Sequence, residues 1–135
     1  KGIKAAFVTL GGIKNLNLRY KIFKDLKKKK FHIPIFKSKT SYISKNSKIL
    51  AGTIIMHGAM INSGCKVGYN CIVNSKSLIE HGCDIGNNVH VSTGAILNGD
   101  VKVGSGTFVG SGAVLNNNVK ILPNSFIKMG TLLKK

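Results

Sequence analysis

Acidic residues are scarce in this chain. Only four of its 135 residues are Asp or Glu, against 21 Lys and Arg, for a formal net charge of +17. Tryptophan is absent, proline occurs twice, and one arginine, Arg19, stands among the lysines. Each shortage excludes something. Arginine forks onto phosphates and bases, and aromatic rings stack on them, so a chain poor in both is not built like a nucleic-acid reader. The lysine excess reads mainly as a solvated surface. Cys65, Cys71 and Cys83 are odd in number and lack CxxC spacing, which argues against a disulfide framework or a zinc ribbon. No apolar run is long enough to span a bilayer. No secretory pattern opens the sequence, and the expected location is the cytoplasm. The length suits one domain, or a small domain with an appendage.

Against this scarcity one segment stands out. SLIEHGCDIGNNVH, residues 77 to 90, holds two of the four acids, Glu80 and Asp84, and two of the four histidines, His81 and His90. His32 and His57 read as ordinary surface histidines.

The chain changes character near residue 40. Before it, AAFVTL (5–10) reads as a strand and Gly11-Gly12 as a turn. NLNLRYKIFKDLKKKK (15–30) reads as a helix with Leu18, Ile22, Phe23 and Leu26 on one face and lysines closing its C-terminus. FHIPIF (31–36) reads as another short strand. From Ile43 onward the pattern is neither helical nor alternating. Every sixth residue is aliphatic: Ile43, Ile49, Ile55, Ile61, Val67, Val73, Ile79, Ile85, Val91, Leu97, Val103, Val109, Leu115, Ile121, Ile127 and Leu133. Four residues after each stands only Ser, Thr, Ala, Cys or Val. One residue earlier Gly or Asn dominates, the residues that best tolerate left-handed turn geometry. A repeat this short cannot bury its own apolar face and must stack on copies of itself.

This hexapeptide resembles that of the left-handed parallel β-helix acyltransferases, in which three hexapeptides make one triangular coil of eighteen residues. The resemblance implies a mostly β fold. A left-handed parallel β-helix is expected over residues 41–135, preceded by a partial Rossmann-like strand–helix–strand segment over residues 1–40. In that register the three cysteines share the small inward slot with Thr53, Ala59, Ala95 and Ala113, as core packing. Residues eighteen apart lie above one another. Asp84 then stands in a column with Lys48, Lys66, Lys102 and Lys120, His90 with Ile54, Ile72, Phe108 and Phe126, and His81 between Ser63 and Gly99. Gly82 lies beneath Asp100. An imidazole next to a glycine should have open space beside it.

Residues 74 to 104, NSKSLIEHGCDIGNNVHVSTGAILNGDVKVG, are similar to a narrower group. It comprises the bacterial sialic acid O-acetyltransferases and UDP-amino-sugar N-acetyltransferases of the NeuD/PglD type. The preceding helix and the lead-in SKTSYIS (38–44) are similar to that group as well. The resemblance implies acetyl transfer from acetyl-CoA to an amine or hydroxyl of a nucleotide-activated amino sugar or sialic acid, without an acyl-enzyme. His81 is then the general base, a role that suits a side chain titrating near neutral pH, with Glu80 beside it. His90, Gly99, Ser111 and Met129 match positions that contact acetyl-CoA, and Leu10 and Gly11 match the remaining part of the nucleotide-sugar site. The implied assembly is a homotrimer with acetyl-CoA between adjacent β-helices. Neither a metal nor a nucleic-acid or membrane partner is implied.

Two departures concern the site. Relatives commonly carry Glu or Asp directly after the catalytic histidine, where this chain has Gly82, and many carry a lead-in histidine where this chain has Ser38. Asp100, one coil above Gly82, is the candidate to replace the lost acid. Other readings stay open: a catalytically impaired or binding-only scaffold for polyanions, and a zinc carbonic anhydrase of the same fold, which would need three converging histidines. N- and O-acetylation are not distinguished by these residues.

Overall fold

The computed structural model of the chain describes residues 2–13 and 16–134. Residue 15, where the sequence begins the helix, and residues 1 and 135 at the expected domain limits, lie outside them.

Among the described residues one helix, α1 (Asn17–Lys28), is followed by seventeen strands of two residues each, from β1 (Phe36–Lys37) to β17 (Leu132–Leu133). In the last sixteen strands the second residue is an aliphatic of the six-residue period. All pairing is parallel, and each strand pairs with the third one after it: Phe36 faces Ile54, Tyr42 faces Met60 and Lys48 faces Lys66. The result is a solenoid of three sheets, with six, six and five strands. They are called here the His90 sheet, the Leu78 sheet and the Lys66 sheet, after an outward residue of each.

The physical cause is one of enclosure. A two-residue strand has no independent stability, but every coil donates its backbone N–H groups to the next, as in Leu78 N to Ala95 O (2.9 Å) and Glu80 N to Leu97 O (2.8 Å). The aliphatic side chains then meet only each other along the axis. From Ile55 to Leu115 they are 0–3% exposed, each worth roughly 1.5–3 kcal/mol of burial. Ile43, Ile49, Ile121, Ile127 and Leu133 at the two ends are only partly buried. The small slots from Thr53 to Val119, including all three cysteines, are buried as the register requires, while Ser47, Ser125 and Thr131 at the ends are partly buried. The corners turn through residues of positive φ, which explains the Gly/Asn preference; Lys76 (φ 56°) and Asp100 (φ 61°) adopt the same conformation.

The solenoid starts earlier than residue 41. Phe36–Lys37 already pairs with Ile54–Ile55 as its first rung. The period misses it because the inward position there is Lys37, which is exposed with no coil beneath to enclose it. Of the expected flanking strands little forms. AAFVTL contributes a single parallel bridge, Ala5 to His32, across α1.

The helix face also differs from the expected one. Leu18 and Ile22 are exposed, whereas Arg19 and Phe23 are buried. Phe23 packs with Val8 and Ile33 and lies over Gly52, where a Cβ would come within 2.6 Å of its ring. The only arginine enters because the chain offers it carbonyl oxygens. Its Nη1 donates to Val8 O (2.7 Å) and Leu10 O (2.8 Å), its Nε to Asn70 O (3.3 Å) and its Nη2 to Gly52 O (3.3 Å). Burial lowers the guanidinium pKa to about 10, still far above neutrality. One side chain thereby ties the N-terminal segment, the helix and two coils together. Asn88 Nδ2 to Leu16 O (3.4 Å) and His90 Nδ1 to Gly12 O (2.8 Å) add two further ties.

Replacing Arg19 by Met leaves four carbonyl oxygens without their donor and should cost roughly 2–4 kcal/mol. The loss falls on the N-terminal segment. Limited proteolysis should cut before residue 33 while residues 36–134 stay resistant, and Arg19→Lys should recover only part of the protection.

Candidate functional site

The corner between β8 (Leu78–Ile79) and β9 (Asp84–Ile85) carries Glu80, His81, Gly82 and Cys83. The turn needs a positive φ at residue 82 (69°), which Gly82 supplies. His81 is exposed, and its imidazole lies against the backbone of Gly99 one coil above. A Cβ at residue 99 would come within 2.5 Å of His81 Cε1 and 2.6 Å of Nε2, and within 3.0 Å of Asn117 Nδ2. The space expected beside the imidazole is therefore the seat of the ring itself. Glycine at 99 is required to keep it.

Glu80 is half-buried. Its Oε2 accepts a hydrogen bond from Asn62 Nδ2 (2.7 Å), and its carbonyl accepts one from the Cys65 thiol (2.9 Å). Asp100 sits one coil above Gly82, with its amide donating to His81 O (2.9 Å). Its carboxylate folds down over Gly82, where Oδ1 occupies the volume a residue-82 side chain would take. Among the described residues no hydrogen bond or ion pair joins this carboxylate to the imidazole. Asn124 folds over Gly106 in the same manner, so the turn itself dictates the pose. What distinguishes Asp100 is its charge.

The thiols lie inside this corner. The Cys83 thiol donates to Asn98 O (3.2 Å); interaction between the two neighbouring thiols pulls that of Cys65 down to about 7 and pushes that of Cys83 up. Burial raises Cys71 to about 11. All three are about 1% exposed, which fits packing and not nucleophilic attack. Asp84 is stacked between Lys66 and Lys102 as expected, but no ion pair closes among the described residues.

His90 lies elsewhere, on the sheet that does not meet the His81 corner. It is buried beneath the N-terminal segment. With Nδ1–H donating to Gly12 O, its Nε2 lone pair faces Asn74 Nδ2 at 3.5 Å, and Phe108 packs edge-on with ring centroids 5.1 Å apart. Burial, the largest cause, lowers its pKa below the usual 6.5; the Gly12 bond opposes this and the Arg19 charge adds to it. The imidazole is thus held neutral at pH 7. Sequence reasoning missed this tie to Gly12 because 78 residues separate the partners and no periodicity relates them.

Ser111 and Met129 are both exposed and stand one above the other at the corner between the His90 and Leu78 sheets, joined by Gly130 N to Ser111 O (2.9 Å). Ser111 Oγ bonds Ser92 Oγ at 2.9 Å. Leu10 and Gly11 are exposed next to Gly12, and the Leu10 carbonyl is held by Arg19. The structure therefore brings together Glu80, His81, Gly99 and Asp100. It places Ser111 and Met129 at the opposite edge of the Leu78 sheet, and His90 with Leu10 and Gly11 on the N-terminal side. Among the described residues no three His, Cys, Asp or Glu side chains cluster as metal ligands. Among them, too, no helix is long and apolar enough to cross a membrane.

No protein-family model matches the sequence, and no curated protein matches it. Solved structures do match. The acetyltransferase domain of PglB from Neisseria gonorrhoeae superposes with a TM-score of 0.88 at 23% identity, over 90% of this chain and 60% of that one. Perosamine N-acetyltransferase (PerB) from Caulobacter crescentus gives 0.88 at 24%, over 91% and 59%. WeeI from Acinetobacter baumannii gives 0.86 at 23%, over 95% and 66%. The chain thus spans about 60% of the length of the first two. At this level of identity what is shared is the fold.

Proposed function

We propose that the chain acts as an acetyl-CoA-dependent sugar acetyltransferase of the NeuD/PglD type, on a left-handed coil, with His81 as general base. The observation that carries this reading is the His81 corner: an exposed imidazole seated on Gly99, with a carboxylate delivered over Gly82 from the coil above. Solved neighbours support the chemistry. The PglB domain has been solved with acetyl coenzyme A, and PerB with CoA and GDP-perosamine.

In this reading the imidazole of His81 takes the proton of a sugar amine or hydroxyl as that atom attacks the thioester carbonyl. The carbon–sulfur bond then breaks, CoA leaves as the thiolate, and the acetyl group stays on the sugar. Glu80, fixed by Asn62, orients the corner. Asp100 is a positioning residue. Relatives place an acid directly after the histidine; here its volume is filled by the Asp100 carboxylate, which favours the imidazolium formed during proton transfer. The acceptor is a nucleotide-activated amino sugar or sialic acid, and the compartment is the cytoplasm.

His81 and the Ser111–Met129 edge lie on opposite sides of one sheet, so of the acetyl-CoA positions a single chain brings only Gly99 to the base. A homotrimer would bring the others, with the His81 corner of one copy facing His90, Ser111 and Met129 of the next, and Leu10 and Gly11 flanking the acceptor. Light scattering should give three times the chain mass; a stable monomer at micromolar concentration contradicts the shared site.

The decisive experiment is release of free thiol from acetyl-CoA against a panel of UDP-amino sugars, GDP-perosamine and sialic acids. His81→Ala should lower turnover by ~10²- to 10⁴-fold with acetyl-CoA binding nearly unchanged. Wild-type turnover in that variant places the chemistry elsewhere. Asp100→Asn keeps shape and removes charge. It should lower kcat for acetyl transfer while leaving the KM for acetyl-CoA and the melting temperature nearly unchanged. Turnover equal to wild type leaves Asp100 only its role in the turn.

A further inference from the structure

Across the Lys66 sheet from the His81 corner, α1 crosses the corner between the Lys66 and His90 sheets. A groove of about 350 Å³ opens there, lined by Tyr20, Phe23, Lys24, Lys27, Lys28, Tyr69 and Asn87. Its walls are aromatic and its rim is cationic. Lys27 Nζ stands 4.7 Å from the Tyr69 ring centroid and 5.9 Å from that of Phe23; Lys24 Nζ stands 5.4 Å from that of Tyr20. Tyr20 is 44% exposed and Tyr69 37%, so neither ring is a closed core residue.

The ammonium groups have no carboxylate partner. Asp25 is the only acid on α1, and no ion pair forms among the described residues. A lysine that rests over a ring for want of an anion is free to turn to one. Tyr69 itself is held firmly: its amide donates to Asn87 Oδ1 (2.9 Å) and its carbonyl accepts from Asn88 N (2.7 Å). The groove runs on past Tyr20 into a polar cleft of about 650 Å³, where the exposed side chains of Asn87, Ser105 and Asn124 offer amide and hydroxyl groups. Neither cleft includes His81, Leu10 or Gly11.

Flat rings, unopposed ammonium groups and a line of amides suit one chemical class. We propose that this groove binds a nucleoside diphosphate. The base stacks on Tyr69 and Tyr20, the phosphates take Lys24, Lys27 and Lys28, and the sugar hydroxyls meet the asparagine side chains. Base–aromatic stacking supplies the selectivity and lysine the charge. Such a nucleotide could be the carrier of an activated sugar or the adenine end of a coenzyme. The two share this chemistry and differ in the base and in the position of the phosphates.

Isothermal titration of the full chain with UDP, ADP, adenosine 3′,5′-bisphosphate and inorganic pyrophosphate tests the site. The nucleotides should bind at least tenfold more tightly than pyrophosphate. UDP above adenosine bisphosphate indicates a sugar carrier, and the reverse order a coenzyme. Tyr69→Leu should weaken the nucleotides tenfold or more and leave pyrophosphate unchanged, while Tyr69→Phe should bind like wild type. Lys27→Gln should weaken all four, and an unchanged melting temperature separates lost contacts from lost fold. His81→Ala should bind them as wild type does, so loss of acetyl transfer and loss of this site are read independently. Equal affinity for pyrophosphate and nucleotides, indifference to Tyr69→Leu, absence of binding at millimolar nucleotide, or loss of binding in His81→Ala each overturns the proposal.

Discussion

Stacking of one coil on the next, eighteen residues later and in parallel register, is the constraint on which everything else here rests. Among the described residues no strand exceeds two residues, and no coil could hold its shape alone. Each takes its hydrogen bonds from the coil above and below, and its core from residues in the same inward column. The long-range character of these contacts makes the array rigid once assembled. Chemistry placed at a corner is then held by backbone instead of by flexible loops.

That register also decides what each corner can contain. A side chain at a turn meets the residue eighteen positions later before it meets solvent. His81 can lie across residue 99 only because that residue is glycine, and Asp100 can fold down only because residue 82 is glycine. The two glycines, seventeen residues apart in sequence, are therefore coupled in space. A carboxylate placed on residue 82 would compete for the volume that Asp100 fills.

Arg19 plays the corresponding part for the segment outside the solenoid. The bridge at Ala5 and the small cluster of Val8, Phe23 and Ile33 are a thin basis for docking a helix. A guanidinium with five donors satisfies four carbonyl oxygens at once, which no lysine in this lysine-rich chain could do. The remaining lysines stay outside, and those along α1 confer on the helix its unopposed cationic edge.

The sequence by itself determined the solenoid. The period of six named the inward aliphatics, the small slots and the turn residues, and the eighteen-residue column correctly set His81 beneath Gly99 and Gly82 beneath Asp100. This was legible because a repeat projects three-dimensional contacts onto fixed sequence intervals. Where the repeat stops, so does the legibility. Apolar spacing on α1 pointed to Leu18 and Ile22, yet Arg19 faces inward, since hydrogen-bond supply at a docking surface is not encoded in a helical period. Only the tertiary structure tied His90 to Gly12 and directed the Asp100 carboxylate to Gly82 without a bond to the imidazole. Those facts depend on how a non-repeating segment folds back and on which way a side chain turns at a corner, and no interval in the sequence records either.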